Sequence, residues 1–173
     1  MFLDLAKKRR SIRKFTDENV SDEDLKYILE CALLSPTGRG VDCKKYIVVR
    51  DKNMLKKLSV YKASGARFIE NANLAIVVIT NKDIAITTYE QDACITASYI
   101  QLAVSDINLG SCWGNVLEQK NEDGKLGHMV IRGLLDIPEN YNVECVIGIG
   151  HIDERPKEKK ELDFSEHVHF EKF

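Results

Sequence analysis

The sequence has no apolar run of membrane-spanning length; its longest, Leu74 to Thr80, is the size of a strand. It has no charge surplus either: 25 Lys and Arg against 27 Asp and Glu leave a net charge of −2. A nucleic-acid-binding domain usually carries a large basic excess, so that class is disfavoured. Paired cysteines are missing. Cys31, Cys43, Cys94, Cys112 and Cys145 are odd in number and widely spaced, which argues against a disulfide framework or a zinc knuckle. His167-x-His169 has no carboxylate or Cys at ligand spacing, so no metal is expected. Repeats and low-complexity linkers are absent. So are Ser-His-Asp, Cys-His, His-Glu-x-x-His and Walker patterns, which leaves hydrolase and kinase readings without support. At the start, the charges of Lys7 to Arg10 follow a very short apolar stretch, the reverse of a signal peptide. The expectation is a cytoplasmic protein with neither a membrane nor a nucleic-acid partner.

What is present suits one compact domain over residues 1–173, with a charged C-terminal arm from about 152 to 173. Hydrophobic residues make up 44% and charged residues 30%, a balance that buries a core without disulfide staples. A short helix is predicted over 3–9 and an extended segment over Arg10 to Phe15. Ser21, followed by three acidic residues, caps a helix whose apolar face is Leu25, Ile28, Leu29, Ala32 and Leu33; Ser35-Pro36 stops it. Strands are predicted at Tyr46 to Val49, Leu74 to Thr80, Ser111 to Val116 and Val143 to Ile149. The second is continuously apolar and so is expected to be covered on both faces. Helices are predicted at Lys52 to Val60, Tyr89 to Asn108 (capped by Gly110) and Met129 to Leu135 (ended by Pro138). Residues 118–127 are polar and read as a mobile loop. This order of elements implies an α+β sandwich around a central sheet. Val168 and Phe170, stranded beyond the charged arm, imply something for it to dock on.

Four stretches carry chemistry. Arg9, Arg10, Ser11 and Arg13 offer guanidinium forks and a hydroxyl suited to a phosphate; in an extended segment Arg9, Ser11 and Arg13 share one face and Arg10 takes the other. Ser35, Pro36, Thr37, Gly38, Arg39 and Gly40 form a turn whose backbone N–H groups suit a polar ring edge. Gly110-Ser111-Cys112-Trp113-Gly114-Asn115 holds the only Trp between glycines that permit close backbone approach. Gly148-Ile149-Gly150-His151 fails as a dinucleotide fingerprint, but Arg155 and Lys157 lie just beyond its strand. Each stretch taken alone also reads as a solvated edge, an ordinary loop or a helix cap before a core Trp.

Together the four stretches resemble the nitroreductase family of FMN-dependent oxidoreductases over nearly the whole chain. Arg9 to Phe15 is similar to the family's flavin-phosphate motif and Ser35 to Gly40 to its ring-side motif. Gln91-Asp92-Ala93 through Tyr99 to Ala103, then Gly110 to Gly114, resembles its central helix and following strand. Gly148 to His151, Arg155-Pro156-Lys157 and His167 to Glu171 resemble its C-terminus. The resemblance implies a three-layer α+β sandwich with a mainly antiparallel sheet, a homodimer, and FMN at the interface. It implies hydride transfer from NADH or NADPH through the flavin to nitroaromatics, quinones or similar acceptors, with no catalytic side chain required. By similarity Arg9, Arg10, Ser11 and Arg13 would bind phosphate and ribityl groups, and Arg155 and Lys157 would close on the phosphate. Ser35, Pro36, Thr37 and Arg39 of the partner would line the ring, and Cys112, Trp113, Gly114 and Asn115 would pass near it. Relatives often carry an amide and then Pro-Trp where this chain has Asp42, Cys43 and Lys44. Asp42 and Lys44 are therefore candidate substrate contacts, with Lys44 expected to stand as a mobile cation beside the ring. Two other readings stay open: a flavin carrier, sensor or flavin-consuming enzyme without nicotinamide turnover, and a basic-patch interaction module.

Overall fold

Local signals start the helices as expected. The Ser21 hydroxyl accepts from the N–H of Asp24 at 3.0 Å, and Asp22, Glu23 and Asp24 complement the positive end of α2 (Asp22–Leu33). Asp51 caps α3 (Lys52–Leu58) in the same way, accepting from Met54 at 2.8 Å. The computed structural model describes residues 1–160 and 162–173. Its other helices are α1 (Phe2–Lys8), α4 (Tyr89–Asp106), α5 (Gly127–Leu135) and α6 (Phe164–His167). The strands are β1 (Lys44–Val49), β2 (Leu74–Asn81), β3 (Gly110–Asn115) and β4 (Tyr141–Gly150).

The four strands form one sheet in the order β1-β2-β4-β3, every pair antiparallel. It is the middle layer of an α+β sandwich. β2 is buried along its whole length, which accounts for its continuous apolar sequence. Ala75, Val77 and Ile79 face Leu55, Leu58, Tyr61, Phe68 and Ile131, contributed by α3, α5 and the chain between. Leu74, Ile76 and Val78 face Ile28 and Ala32 of α2 and Ala93, Ala97, Ile100 and Val104 of α4. The small-residue stripe of α4 lets it lie close to the sheet.

Some local expectations are overturned by long-range packing. Gly110 does not cap α4: Asn108 takes the left-handed turn at φ +63°, and Gly110 opens β3, where a Cβ would stand 2.8 Å from that of Ile12. α5 ends at Asp136, in the left-handed region at φ +52°, before Pro138 is reached. The 118–127 segment is not a free loop. Its residues bridge Lys120 to Leu126, donate from Gly127 to the Gln119 carbonyl at 2.7 Å and accept from Ala63 at 2.9 Å. All five cysteines are free; Cys43, Cys112 and Cys145 are buried. Among the described residues no helix is long and apolar enough to cross a membrane.

Candidate functional site

β3 is an edge strand, and the segment after α1 docks on that edge. Ile12 donates to the Ser111 carbonyl at 2.9 Å, pairing Ser11 with Ser111 in a parallel bridge. Phe15 then pairs antiparallel with Ile152, beyond the end of β4, through Thr16 N–H to the His151 carbonyl and Asp153 N–H to the Lys14 carbonyl, both 3.0 Å. Ile12 and Phe15 are buried and serve as anchors. Asn73 locks the junction: its Nδ2 donates to the Thr16 carbonyl at 2.9 Å and its Oδ1 accepts from His151 N–H at 3.0 Å. The N-terminal arginines and the segment after β4 are thereby fixed side by side.

Between them lies an open cleft of about 640 Å³ lined by Arg9, Arg10, Ser11, Arg13, Glu154, Arg155, Pro156, Lys157 and Lys159. Six of these residues are cationic and one is a carboxylate, so the cleft is strongly positive in a near-neutral chain. Glu154 is already engaged: its carboxylate accepts from the backbone N–H of Arg13 and from that of Lys14 at 3.2 Å. The Arg10 guanidinium donates to the Lys157 carbonyl. The expected alternation fails here, because Arg10 joins Arg9, Ser11 and Arg13 on the same cleft. Arg9 is still the C-cap of α1, so extended pairing begins only at Ser11. A smaller adjoining cavity of about 180 Å³ adds Gln101, Ser105, Asn108 and Ser111. Multiple guanidinium and ammonium groups facing one cleft, with a hydroxyl and backbone donors nearby, suit a phosphate dianion.

Cys112 and Trp113 lie on opposite faces of β3. The Cys112 side chain is buried in the core beneath the sheet, and the residue as a whole is only 2% exposed. Burial pushes its thiol pKa up, opposed chiefly by the charges of Arg13 and Lys62. Lys62 is a cation that motif reading missed. Its amine is half-buried beside Tyr61 and β3, and burial lowers its pKa. No local pattern marks it; only the fold brings residue 62 to β3. Gly114 leaves room for the Tyr61 hydroxyl, which would stand 2.7 Å from a Cβ there and donates to the Asn115 carbonyl at 2.8 Å.

The turn of Ser35, Pro36, Thr37 and Arg39 is not part of this cleft. Gly38 is held by Asp92 at the start of α4, whereas the cavities meet α4 at Gln101 and Ser105. Asp92 and Ser105 stand about 20 Å apart along the helix axis at 1.5 Å per residue. Asp42 is exposed on this turn. Lys44 corrects the expectation made of it. It is 5% exposed, and its Nζ donates to the Ser35 carbonyl at 2.6 Å and the Ser35 hydroxyl at 2.8 Å. A buried ammonium must find acceptors, and Ser35 supplies two, so Lys44 is a tie within the loop and not a mobile cation beside it.

The family model of the nitroreductase family matches residues 6–76 and 56–151. A protein of Archaeoglobus fulgidus, named provisionally as an NADH dehydrogenase/NAD(P)H nitroreductase, is 35% identical over 89% of this chain and 84% of its own length. The solved structure of an FMN-dependent nitroreductase from Clostridium difficile R20291 superposes with a TM-score of 0.94 at 42% identity, covering 99% of each chain. A nitroreductase family protein from Clostridium difficile 630 gives 0.80 at 28% identity, covering 100% of this chain and 99% of its own.

Proposed function

The chain belongs to the nitroreductase family, and we propose that it is a cytoplasmic, FMN-dependent oxidoreductase passing hydride from NADH or NADPH to nitroaromatic, quinone or similar organic acceptors. The observation that carries the reading is the cleft in which Arg9, Arg10, Arg13, Arg155 and Lys157 converge from opposite ends of the sequence. The FMN-dependent relative from Clostridium difficile supports it. The residues present fit FMN: a phosphate dianion meets guanidinium forks, the Ser11 hydroxyl and Lys157. Beyond Ser111, where the N-terminal segment covers it, the β3 edge at the half-buried Trp113 and the exposed Asn115 allows approach of a flat ring. Bound FMN supplies the hydride chemistry. The protein's part is to hold the phosphate, orient the ring and exclude water, so no side-chain acid or base is assigned.

In this reading residues 1–173 form one FMN-binding unit that works as a homodimer. Ser35, Pro36, Thr37 and Arg39 are held about 20 Å along α4 from the phosphate cleft. They reach a ring more readily from a partner than from their own chain. The exposed Leu162, Phe164, Val168 and Phe170 give the arm an apolar face to lay on that partner. Asp42 is the remaining charged candidate for contact with the acceptor.

The test is the visible spectrum of the purified protein before and after anaerobic NADH or NADPH. The reading expects a flavin spectrum that bleaches on reduction and recovers with a quinone. A colourless protein that takes up no added FMN would sink it. A yellow protein that neither nicotinamide bleaches would instead be a flavin carrier or sensor.

A further inference from the structure

A buried carboxylate lies beneath the loop that follows α2. Asp92 is 2% exposed. Its Oδ1 accepts from the backbone N–H of Gly38 at 2.8 Å; its Oδ2 accepts from the Thr88 hydroxyl at 3.1 Å and the Cys43 thiol at 3.6 Å. A carboxylate without water is costly unless donors surround it. Here three donors do, and the first turn of α4 adds its positive end. Thr88 stands at the N-cap of α4 yet makes no capping bond, its hydroxyl being turned to Asp92. The rest of the buried face of α4 is mainly small and apolar, so packing alone does not call for an acid at this position.

The loop held by these bonds is strained. Arg39 carries a side chain at φ +57°, in the left-handed region. Gly38 lies so near Thr88 that a Cβ would fall 2.5 Å from its hydroxyl oxygen. At its two ends the loop is tied again by Lys44 to Ser35. Strained backbone persists where the surroundings over-determine it, and such segments cluster at ligand clamps.

We propose that Asp92 is a positioning residue that sets residues 37–43 in the conformation that receives the flavin ring. It acts through Gly38 and Cys43 and does not itself touch the ligand. The inference rests on the FMN reading above and adds the residue that shapes the ring side of the site. Its consequence is selective: loss of Asp92 weakens contacts to the ring and leaves those to the phosphate intact.

The experiment titrates flavin-stripped protein with FMN and with riboflavin, which has the same ring and no phosphate, well below the melting temperature. Asp92→Ala is expected to weaken both ligands by the same factor, about tenfold for the loss of charged hydrogen bonds. Asp92→Asn keeps an acceptor for Gly38 and recovers most of that loss. The visible circular dichroism of bound FMN, which reports the ring's surroundings, shifts in the Ala variant and returns in the Asn variant. Thr88→Val removes one donor at nearly constant shape and covers the case in which Asp92→Ala does not fold; it weakens both ligands by about threefold. Folded variants with a lower melting temperature but unchanged flavin affinities would make Asp92 merely structural and overturn the proposal. So would a loss for FMN alone. A wild type that binds neither flavin overturns the FMN reading and this inference with it; failure confined to the variants overturns the inference only.

Discussion

Replacing Asn73 by Ala tests how far the cationic cleft depends on the buried side-chain brace beneath it. Asn73 is 6% exposed and joins two segments that are remote in sequence, donating to the Thr16 carbonyl and accepting from His151 N–H. Gly150 packs so closely that a Cβ there would collide with Asn73 Oδ1. Two bonds disappear, and a carbonyl and an N–H are left short of partners. At about 1 kcal/mol net for each of the two bonds, plus about 1 kcal/mol in all for the groups left behind, the loss is about 3 kcal/mol. For a chain of this length that lowers Tm by roughly 6–12 °C. Thermal melting followed by circular dichroism reads the stability, and quenching of FMN fluorescence reads the cleft. FMN affinity should fall although every side chain proposed to bind phosphate is still present, because Asn73 braces the Phe15–Ile152 pairing that keeps Arg13 and Arg155 in register. A Tm within about 1 °C of wild type would refute the reasoning, as would an unchanged FMN affinity in a clearly destabilised variant.

Arg13→Ala should weaken FMN by about ten- to a hundredfold, the value of one charged hydrogen-bonding group, and leave riboflavin binding unaltered in parallel titrations; equal losses for both would remove Arg13 from the phosphate. Deleting residues 158–173 should lower dimer stability and flavin retention together, measured by sedimentation and by flavin content; a monomer that still holds FMN would contradict the arm's role. Burial and the neighbouring Asp92 push the Cys43 thiol up to about 11. Between its ordinary value of 9.0 and about 11 the unfolded chain gives up the proton first, so Cys43 stabilises the fold below this window and its contribution is lost as pH rises through it. Cys43→Ala should therefore flatten the alkaline fall in Tm, and identical pH profiles for the two proteins would count against the buried thiol.

The nine-element order from α1 to β4 was legible because it rests on local rules. Apolar periodicity marked the helices and β2, Ser21 marked a start, and Ser35-Pro36 marked a stop. The charge logic of the cleft was equally open to reading, since Arg9, Arg13, Arg155 and Lys157 are chemically suited to phosphate wherever they stand. That they face one another was a matter of tertiary structure, decided by the edge pairing of Ser11 with Ser111 and of Phe15 with Ile152. Resemblance to a family singled out the loop from Ser35 to Gly40 but not what holds it. Lys44 turned inward because Ser35 offers two acceptors, and Asp92 is a loop anchor because Gly38, Cys43 and Thr88 converge on it. Gly110 illustrates the limit from another side: after a helix it looks like a cap, but the side chain that requires its missing Cβ belongs to Ile12, almost a hundred residues earlier. Local sequence therefore determined which elements form and which charges are available. Only the folded chain decided which polar groups are buried, because the partners that make burial tolerable come from segments that no local pattern connects.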